Sequence, residues 1–257
     1  MDYRRFRDSI QDKQHIAIIG AGLIGCEFAN DLSNGGYQVA VIAPSSSPLE
    51  RLLPASVGGS LQEALAKQGI AWYLNRSVVS LNQAESNYQL ILSDGQVLTA
   101  DAVLSAIGLR PHTALAKAAG IAIKQGISVN QFLQTNIANI YALGDCAEVA
   151  SHALQYVAPI VLCARALAQT LAGIPTPIHY PAMPIIIKTP AYPIVVCPPV
   201  LNNSDGTWQI EQHQTGMRAL FHDLQGKLQG FVLTGSLTND RMALTQQLPD
   251  WLAAFKQ

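Results

Sequence analysis

Short apolar runs and longer helix-compatible stretches alternate through the first part of the chain. The apolar run Ile16 to Ile19 enters a glycine-rich turn, and a helix-compatible segment then extends to about Ser33, where Asn34-Gly35-Gly36 provides a stop signal. A second apolar run, Gln38 to Ile42, follows at the spacing of a parallel neighbour. The pattern therefore predicts a βαβ unit.

The same alternation continues to about Ala106. Ala55 to Gln68 predicts a helix that stops at Gly69, and Ile70 to Leu74 predicts another parallel strand. Four further strands are predicted, of which the first three form a small meander: Val78–Leu81, Tyr88–Leu92, Gln96–Leu98 and Asp101–Ala106. The predicted fold class is α/β, with a Rossmann-like doubly wound domain interrupted by a β-meander.

The second half of the chain predicts two different regions. A strand from Ile140 to Leu143 runs into Gly144-Asp145, and a helix opens near Tyr156 and ends at about Ala172. From Thr176 onward β-type residues and prolines dominate. The elements predicted there are the strands Met183–Lys188, Tyr192–Cys197, Thr207–His213, Met217–His222 and Lys227–Leu233, and the helices Thr238–Gln247 and Asp250–Phe255.

Composition excludes several classes of protein. The net charge is −1 and the pI is about 6.6, so nothing favours nucleic acid or an anionic membrane surface as a partner. No apolar run approaches the roughly 18–20 residues of a membrane span, and the first residues lack the apolar core of a signal peptide. Charged residues make up only 13%, against roughly 25% in an average soluble domain, which predicts extensive burial.

The four cysteines are far apart in sequence. Cys26, Cys146, Cys163 and Cys197 form no C-x-x-C pair, which argues against a metal site and against a dithiol redox centre within this chain. We interpret all four as small hydrophobic residues in a reducing cytoplasm.

The turn after the first strand has the spacing G-x-G-x-x-G. Gly20 allows a tight turn, Gly22 leaves room for a diphosphate against the backbone, and Gly25 allows helix and strand to pack closely. The helix N-terminus offers free N–H groups and partial positive charge to the anion. The strand–turn–helix context favours dinucleotide binding over a purely structural turn.

The residues after the second strand bear on the choice of nucleotide. An acidic residue that grips the adenosine ribose of NAD is expected here, but the position is Ala43-Pro44 and the nearest acid is Glu50. A 2′-phosphate would favour clustered cations, and only Arg51 is near. NAD is therefore preferred over NADP.

Asp145 is the acidic residue at the end of a predicted strand, beside a glycine that would let a ligand approach. This position suits a contact to a sugar or polyol, although the same aspartate could simply cap a turn. The predicted helix start at Tyr156 to Pro159 is a second place for a ligand's partial negative charge.

Taken in order, these segments resemble the rubredoxin–NAD reductases, members of the FAD-dependent pyridine nucleotide oxidoreductase family. The resemblance covers essentially the whole chain. It rests on the segments DYRRFRDSI, IIGAGLIGCEFANDL, RLLPA, VLSAIGLRP, TNIANIYALGDCAEV, CARALAQTLAG and PAMPIIIKTPAYP.

The resemblance implies a role for each matching residue. The NAD diphosphate would be bound by Gly20, Gly22, Leu23, Ile24 and Gly25. Glu27 would face the nicotinamide, and Ala106-Ile107-Gly108 would close over the cofactor. FAD would be bound by Gly144 and Asp145 along the ribityl chain and by the Val157 and Ala158 amides at the pyrimidine end. Lys188 would be a second contact near the isoalloxazine, unless it is simply an exposed lysine.

The resemblance also implies three domains. These are an NAD(H)-binding domain with a leading linker helix at residues 1–108, the second half of an FAD domain at 109–172, and a small α/β domain at 173–257. The sequence contains one G-x-G-x-x-G, at Gly20, whereas the family has another in an earlier FAD segment. We therefore expect the chain to be the carboxyl-terminal part of a reductase, with impaired FAD binding. Apolar elements at Ile137–Leu143 and Tyr156–Ala172 should then expose a sheet edge and an apolar patch.

The activity implied is transfer of electrons from NADH through FAD to rubredoxin, as in alkane hydroxylation. The alternatives are a ferredoxin- or nitrite-type NADH reductase component, a non-catalytic NAD-binding remnant, or a subunit that pairs with a separate FAD-domain chain.

Overall fold

The computed structural model describes residues 3–85, 87–199 and 205–252. These residues form two compact units. The first contains the chain up to Gly108 together with Pro184–Gln247, and the second contains Leu109–Met183 together with the segment that starts at Leu248.

The helices and strands are numbered here in chain order. The α-helices are α1 (Tyr3–Ile10), α2 (Leu23–Asn34), α3 (Ala55–Ala66), α4 (Ala114–Ala118), α5 (Val157–Leu171) and α6 (Arg241–Thr245), with 3-10 turns at Gly144–Cys146 and Gly235–Asp240. The strands are β1 (His15–Ile19), β2 (Gln38–Ile42), β3 (Ala71–Tyr73), β4 (Val78–Ala84), β5 (Asn87–Leu92), β6 (Val97–Ala100), β7 (Ala102–Ser105), β8 (Ile127–Val129), β9 (Ala147–Val149), β10 (Ile185–Ile187), β11 (Ile194–Cys197), β12 (Gly206–His213), β13 (Gly216–Asp223) and β14 (Leu228–Thr234).

A parallel sheet of order β3-β2-β1-β7 forms the centre of the first unit, as the βαβ pattern predicted. Ile16 of β1 pairs with Val39 of β2 on one side and with Ala102 of β7 on the other. Because β1 has neighbours on both sides and helices above it, Ile16 and Ile18 are buried. The carboxyl ends of β1 and β7 therefore lie side by side, where such sheets place their ligands.

The predicted meander is confirmed. Strands β4, β5 and β6 form an antiparallel sheet, and Leu90, Leu92 and Ala100 pack with Ala17 and Ile42 of the parallel sheet. This small core attaches the meander to the dinucleotide-binding sheet.

A five-stranded antiparallel sheet of order β10-β11-β14-β13-β12 completes the first unit. Its residues Ile194, Val196 and Val232 belong to the same hydrophobic core as Cys26 and Ala29 of α2. This packing places Pro184–Gln247 with the glycine turn, which differs from the division drawn from the sequence at residues 109 and 173. The three-domain division stays a prediction.

The predicted strand Ile140–Leu143 is wrong. In this segment only Tyr141 bridges to Gln134, with single hydrogen bonds from Ala142 N–H to Leu133 O (3.0 Å) and from Thr135 N–H to Ile140 O (2.9 Å). A strand needs a continuous partner for its backbone groups, and the described residues of the second unit pair β8 with β9 instead. The sheet edge expected at Ile137–Leu143 is therefore absent among them.

Helix α5 carries exposed apolar side chains, as expected for an apolar patch. Val157 and Val161, one helical turn apart, are 74% and 41% exposed, and Leu171 and Ile140 are also exposed. The helix itself matches its predicted limits to within one residue.

The helices predicted at the carboxyl end were partly wrong. Thr238–Gln247 is a 3-10 turn that passes into the short helix α6. In the second prediction, Asp250–Phe255, Leu252 forms a β-bridge with Tyr180, and residues 253–255 lie outside the described residues. A tertiary contact overrides helix propensity there.

The start of β1 depends on an ionised carboxylate. Asp101 accepts hydrogen bonds from the backbone N–H groups of His15 (2.8 Å) and Gln14 (3.0 Å), and these bonds lower its pKa below the ordinary value. A lowered folded pKa contributes stability above the unfolded pKa, and this stability is lost as the pH falls through the folded pKa. We expect the urea concentration at which the first unit is half unfolded to decrease once the pH is lowered below about 4. Asp101→Asn should lower the midpoint at pH 7 and flatten this acid dependence, whereas an unchanged acid limb would contradict the assignment.

Candidate functional site

The glycine turn between β1 and α2 has the tight geometry that its spacing predicted. Gly20 has φ +113°, and its N–H donates to Ile42 O (2.8 Å). A Cβ on Gly20 would collide with the Ala106 carbonyl, and a Cβ on Gly25 would collide with the Gly20 carbonyl. Both positions therefore require glycine for the backbones to pack.

Gly22 is different, because a Cβ built there meets nothing within 4 Å. It is the N-cap of α2, and no side chain caps the helix. The first-turn N–H groups of Leu23, Ile24 and Gly25 have no carbonyl within the helix to bond and face this open space. An oxygen-rich anion such as a diphosphate fits this cradle, so the residues present suit an NAD diphosphate.

The segment Ala106-Ile107-Gly108 lies beside this cradle. Ala106 N–H donates to Ile19 O (2.8 Å), which extends the pairing of β7 with β1. Ile107 is 72% exposed, and Gly108 has φ +111°. The structure therefore brings this predicted segment together with the glycine turn.

The loop after β2 is also tied to the turn. Leu49 N–H donates to Ala21 O (2.9 Å), and the next residue, Glu50, accepts a hydrogen bond from the Ser46 hydroxyl (2.7 Å). Glu50 is thus held in the loop where β2 ends, on the side where the sheet would meet the adenosine ribose. Leu49, at φ +55°, was not recognised from the sequence, since an unusual φ has no signal at a leucine.

Glu27 and Lys188 are brought together although 161 residues separate them. Glu27 Oε1 accepts a hydrogen bond from the Lys188 backbone N–H (2.8 Å), while the Lys188 side chain is exposed. One turn along α2, the buried Asn30 accepts from Ala191 N–H (3.4 Å). Two side chains of α2 therefore hold the loop after β10. Both Glu27 and Lys188 line a cavity of about 360 Å³ between α1, α2 and this loop.

The second unit contains the other predicted residues. Gly144 has φ +81° and open space where a Cβ would lie, and Asp145 is exposed. Helix α5 begins at Val157 without a side-chain cap, so the first-turn N–H groups, including those of Val157 and Ala158, have no carbonyl within the helix to bond. The 3-10 turn at Gly144 packs against α5. The open turn, the Asp145 carboxylate and the N-terminus of α5 thus lie together. The carboxylate can accept hydrogen bonds from a polyol, and the free N–H groups can donate to a nearby partial negative charge.

Three buried polar side chains of this unit were missed by sequence reasoning. Glu148 accepts from the N–H groups of Gln125 (2.7 Å) and Gly126 (3.0 Å), and Cys163 lies 3.1 Å from the Tyr180 hydroxyl. Glu148 directly follows the GDCA segment and could have been noted as a charged residue in an apolar run. The Cys163–Tyr180 contact has no local sequence signal.

None of the four cysteines forms a disulfide. Burial raises the pKa of Cys26 to about 12, so this thiol beside the glycine turn stays protonated and unreactive. Within residues 3–85, 87–199 and 205–252, no group of three or more His, Cys, Asp or Glu side chains could hold a metal ion. Among the same residues, no helix has both the length and the apolarity to cross a bilayer.

Residues 1–166 match the family model described as pyridine nucleotide-disulphide oxidoreductase. The chain belongs to this family. Proteins of this oxidoreductase family use FAD and NAD(H). Residues 177–248 match a second model, described as a rubredoxin binding C-terminal domain.

Curated relatives of this chain include two rubredoxin-NAD(+) reductases. That of Alcanivorax borkumensis is 45% identical over 97% of this chain, and that of Acinetobacter baylyi is 47% identical over 99%. The chain spans 65% and 66% of the length of these two proteins. A nitric oxide reductase FlRd-NAD(+) reductase of Aeromonas hydrophila is 39% identical over 96% of the chain and 64% of that protein.

Solved structures agree on the fold. A ferredoxin reductase from Rhodopseudomonas palustris superimposes with a TM-score of 0.84 at 24% identity, covering 96% of this chain and 63% of that one. The covalent putidaredoxin reductase–putidaredoxin complex gives a TM-score of 0.79 at 23% identity, covering 95% and 60%.

Proposed function

We propose that this chain supplies the NAD(H) site and part of the FAD site of a flavoprotein reductase that passes electrons from NADH to rubredoxin. The observation that carries the proposal is the presence, in one chain, of an open glycine turn at a helix N-terminus and a match of residues 177–248 to a rubredoxin-binding domain. The identity of 45–47% to two rubredoxin-NAD(+) reductases supports rubredoxin as the acceptor.

The first unit would bind and orient NADH. The backbone amides at Gly22 to Gly25 hold the diphosphate, and Glu50 lies on the ribose side. Glu27, positioned by its bond from Lys188 N–H, would face the nicotinamide. Ala106-Ile107-Gly108 would close over the cofactor.

The second unit would contribute to FAD binding. Asp145 accepts hydrogen bonds from the ribityl hydroxyls beside Gly144, and the Val157 and Ala158 amides stabilise negative charge at the pyrimidine end. Lys188, a residue of the first unit, is proposed from the family resemblance alone as a further contact near the isoalloxazine. When bound, FAD supplies the chemistry that accepts a hydride and releases single electrons. We place this reaction in the cytoplasm, in keeping with four cysteines that form no disulfide.

The test measures reduction of rubredoxin and of ferredoxin side by side. The chain is supplied with NADH, with FAD, and with a polypeptide that carries a second G-x-G-x-x-G. We expect rubredoxin to be reduced at least about tenfold faster than ferredoxin, which is a preference of roughly 1.4 kcal/mol. Equal or faster reduction of ferredoxin would assign the chain to a ferredoxin-type reductase. NADH binding without reduction of either carrier would indicate a non-catalytic subunit.

A second acceptor is favoured by the relative named nitric oxide reductase FlRd-NAD(+) reductase. Its identity of 39% is lower than that of the rubredoxin-NAD(+) reductases. FlRd added as a third carrier in the same assay would distinguish the two, and we expect it to be reduced more slowly than rubredoxin.

A further inference from the structure

A buried thiol and a buried phenol lie behind the Gly144 turn. Cys163 on α5 and Tyr180 are each 3% exposed, and Cys163 Sγ lies 3.1 Å from the Tyr180 hydroxyl oxygen. Neither group has a part in the proposed function. Two polar atoms that meet inside a hydrophobic core need a reason, since an apolar pair of the same shape would avoid their desolvation.

The thiol also reaches the turn. Gly144, Cys163 and Tyr180 line one small cavity, which places the thiol directly behind the Gly144 backbone. Burial raises the pKa of Cys163 and outweighs the opposing effects of Tyr180 and Gly144. The group is therefore a neutral thiol that contacts the phenol and shares a small cavity with the turn.

Tyr180 is fixed from its other side. Its backbone exchanges two hydrogen bonds with Leu252 (3.2 and 3.0 Å), and the Trp251 ring meets its ring edge-on at 6.1 Å. Two residues earlier, Ile178 N–H donates to Gln131 O (2.7 Å). The hydroxyl is thus held in place by two segments, one that precedes α5 in the sequence and one that follows it.

Few other side-chain hydrogen bonds stabilise the Gly144–Asp145 turn. Gln155 Nε2 donates to Asp145 O at 3.3 Å, and Cys146 Sγ lies 3.5 Å from Leu143 O. Both are long, and Gly144 contributes no side chain of its own. The Cys163–Tyr180 pair is therefore the most deeply buried polar contact beside this turn.

We propose that Cys163 and Tyr180 are positioning residues that hold the Gly144–Asp145 turn in the geometry that receives the ribityl chain of FAD. The identity of the ligand rests on the proposed function, whereas the anchoring of the turn does not. Cys163 transmits the fixed position of Tyr180 to the Gly144 backbone, so that Asp145 keeps one orientation at the N-terminus of α5.

The first experiment measures hydrogen–deuterium exchange of amides 143–147 in the full chain. We expect Cys163→Ala and Tyr180→Phe each to speed exchange there about tenfold, the size expected for loss of one buried hydrogen bond. The double variant should be no faster than either single one, because both remove the same contact. Cys163→Ser, which keeps a hydrogen-bonding group, should restore most of the protection.

Cys197→Ala is the matched control. Cys197 is equally buried, at 3%, but belongs to β11 in the other unit, so its loss leaves a hole of the same size without touching the turn. It should leave amides 143–147 unchanged while lowering the melting temperature comparably. Exchange at the unprotected rate in the unchanged protein, or no acceleration in Cys163→Ala and Tyr180→Phe, would overturn the proposal.

A second measurement separates this proposal from the proposed function. FAD affinity is measured by flavin fluorescence with the complementary polypeptide present. We expect the Kd to rise about tenfold in Cys163→Ala and to recover in Cys163→Ser. If exchange accelerates but no variant binds FAD, the proposed function fails and the anchoring stands. If FAD binds with the same Kd in every variant, the positioning role is wrong.

Discussion

Gly22→Val is expected to weaken NADH binding about 100-fold, or roughly 2.7 kcal/mol, while the protein stays folded. The valine Cβ would enter open space, with no neighbouring heavy atom within 4 Å of it. The same space is where a diphosphate must lie to reach the first-turn amides of α2. Loss of two or more charge-assisted hydrogen bonds accounts for the expected size.

The measurement is a fluorescence titration of NADH into the 257-residue chain, with urea unfolding as a second readout. Gly59→Val is the matched control, because Gly59 in α3 also faces open space but lies away from the turn. We expect the control to bind NADH normally, and both variants to unfold within about 1 kcal/mol of the unchanged protein. Unchanged NADH affinity in folded Gly22→Val would remove the basis of the NAD(H) site.

Gly25→Ala is expected to affect stability, in contrast to Gly22→Val, which affects binding. We expect the free energy of unfolding of the first unit to decrease by about 3 kcal/mol. Its Cβ would overlap the Gly20 carbonyl oxygen, which belongs to the backbone and cannot rotate away. Helix α2 would have to move off β1, and the core around Cys26 and Ala29 would open.

Urea unfolding followed by tryptophan fluorescence tests this, since Trp72 and Trp208 both lie in the first unit. Gly59→Ala provides the control and should raise stability by about 0.5–1 kcal/mol, as expected for an unstrained glycine within a helix. If Gly25→Ala proved as stable as Gly59→Ala, the close packing of α2 on β1 would be contradicted. The two glycines, three residues apart, thus separate binding from folding.

Local chemistry explains why much of this protein is predictable from its sequence. The spacing of Gly20, Gly22 and Gly25 marks a strand–turn–helix within six residues, and the apolar period of two or 3.6 marks the elements on either side. The collision that a Cβ on Gly20 would make with the Ala106 carbonyl is visible only in the fold. The turn between the predicted strands Met217–His222 and Lys227–Leu233 is equally local, since Gly226 N–H donates to Asp223 O (2.9 Å). The residues quoted for the family resemblance are likewise local strings, and the family is confirmed.

The tertiary structure alone decided whatever depends on residues far apart in sequence. Ile140–Leu143 has strand-forming residues, but a strand forms only where a neighbouring segment pairs with its backbone. The segment Asp250–Leu252 was predicted as helix, but Leu252 forms a β-bridge with Tyr180 instead. The contacts from Glu27 to Lys188 and from Cys163 to Tyr180 also have no local signature. Periodicity and turn residues indicate the local conformation of a segment. Contacts between distant residues depend instead on the position of each segment in the folded unit, and that position is determined only by packing of the whole unit.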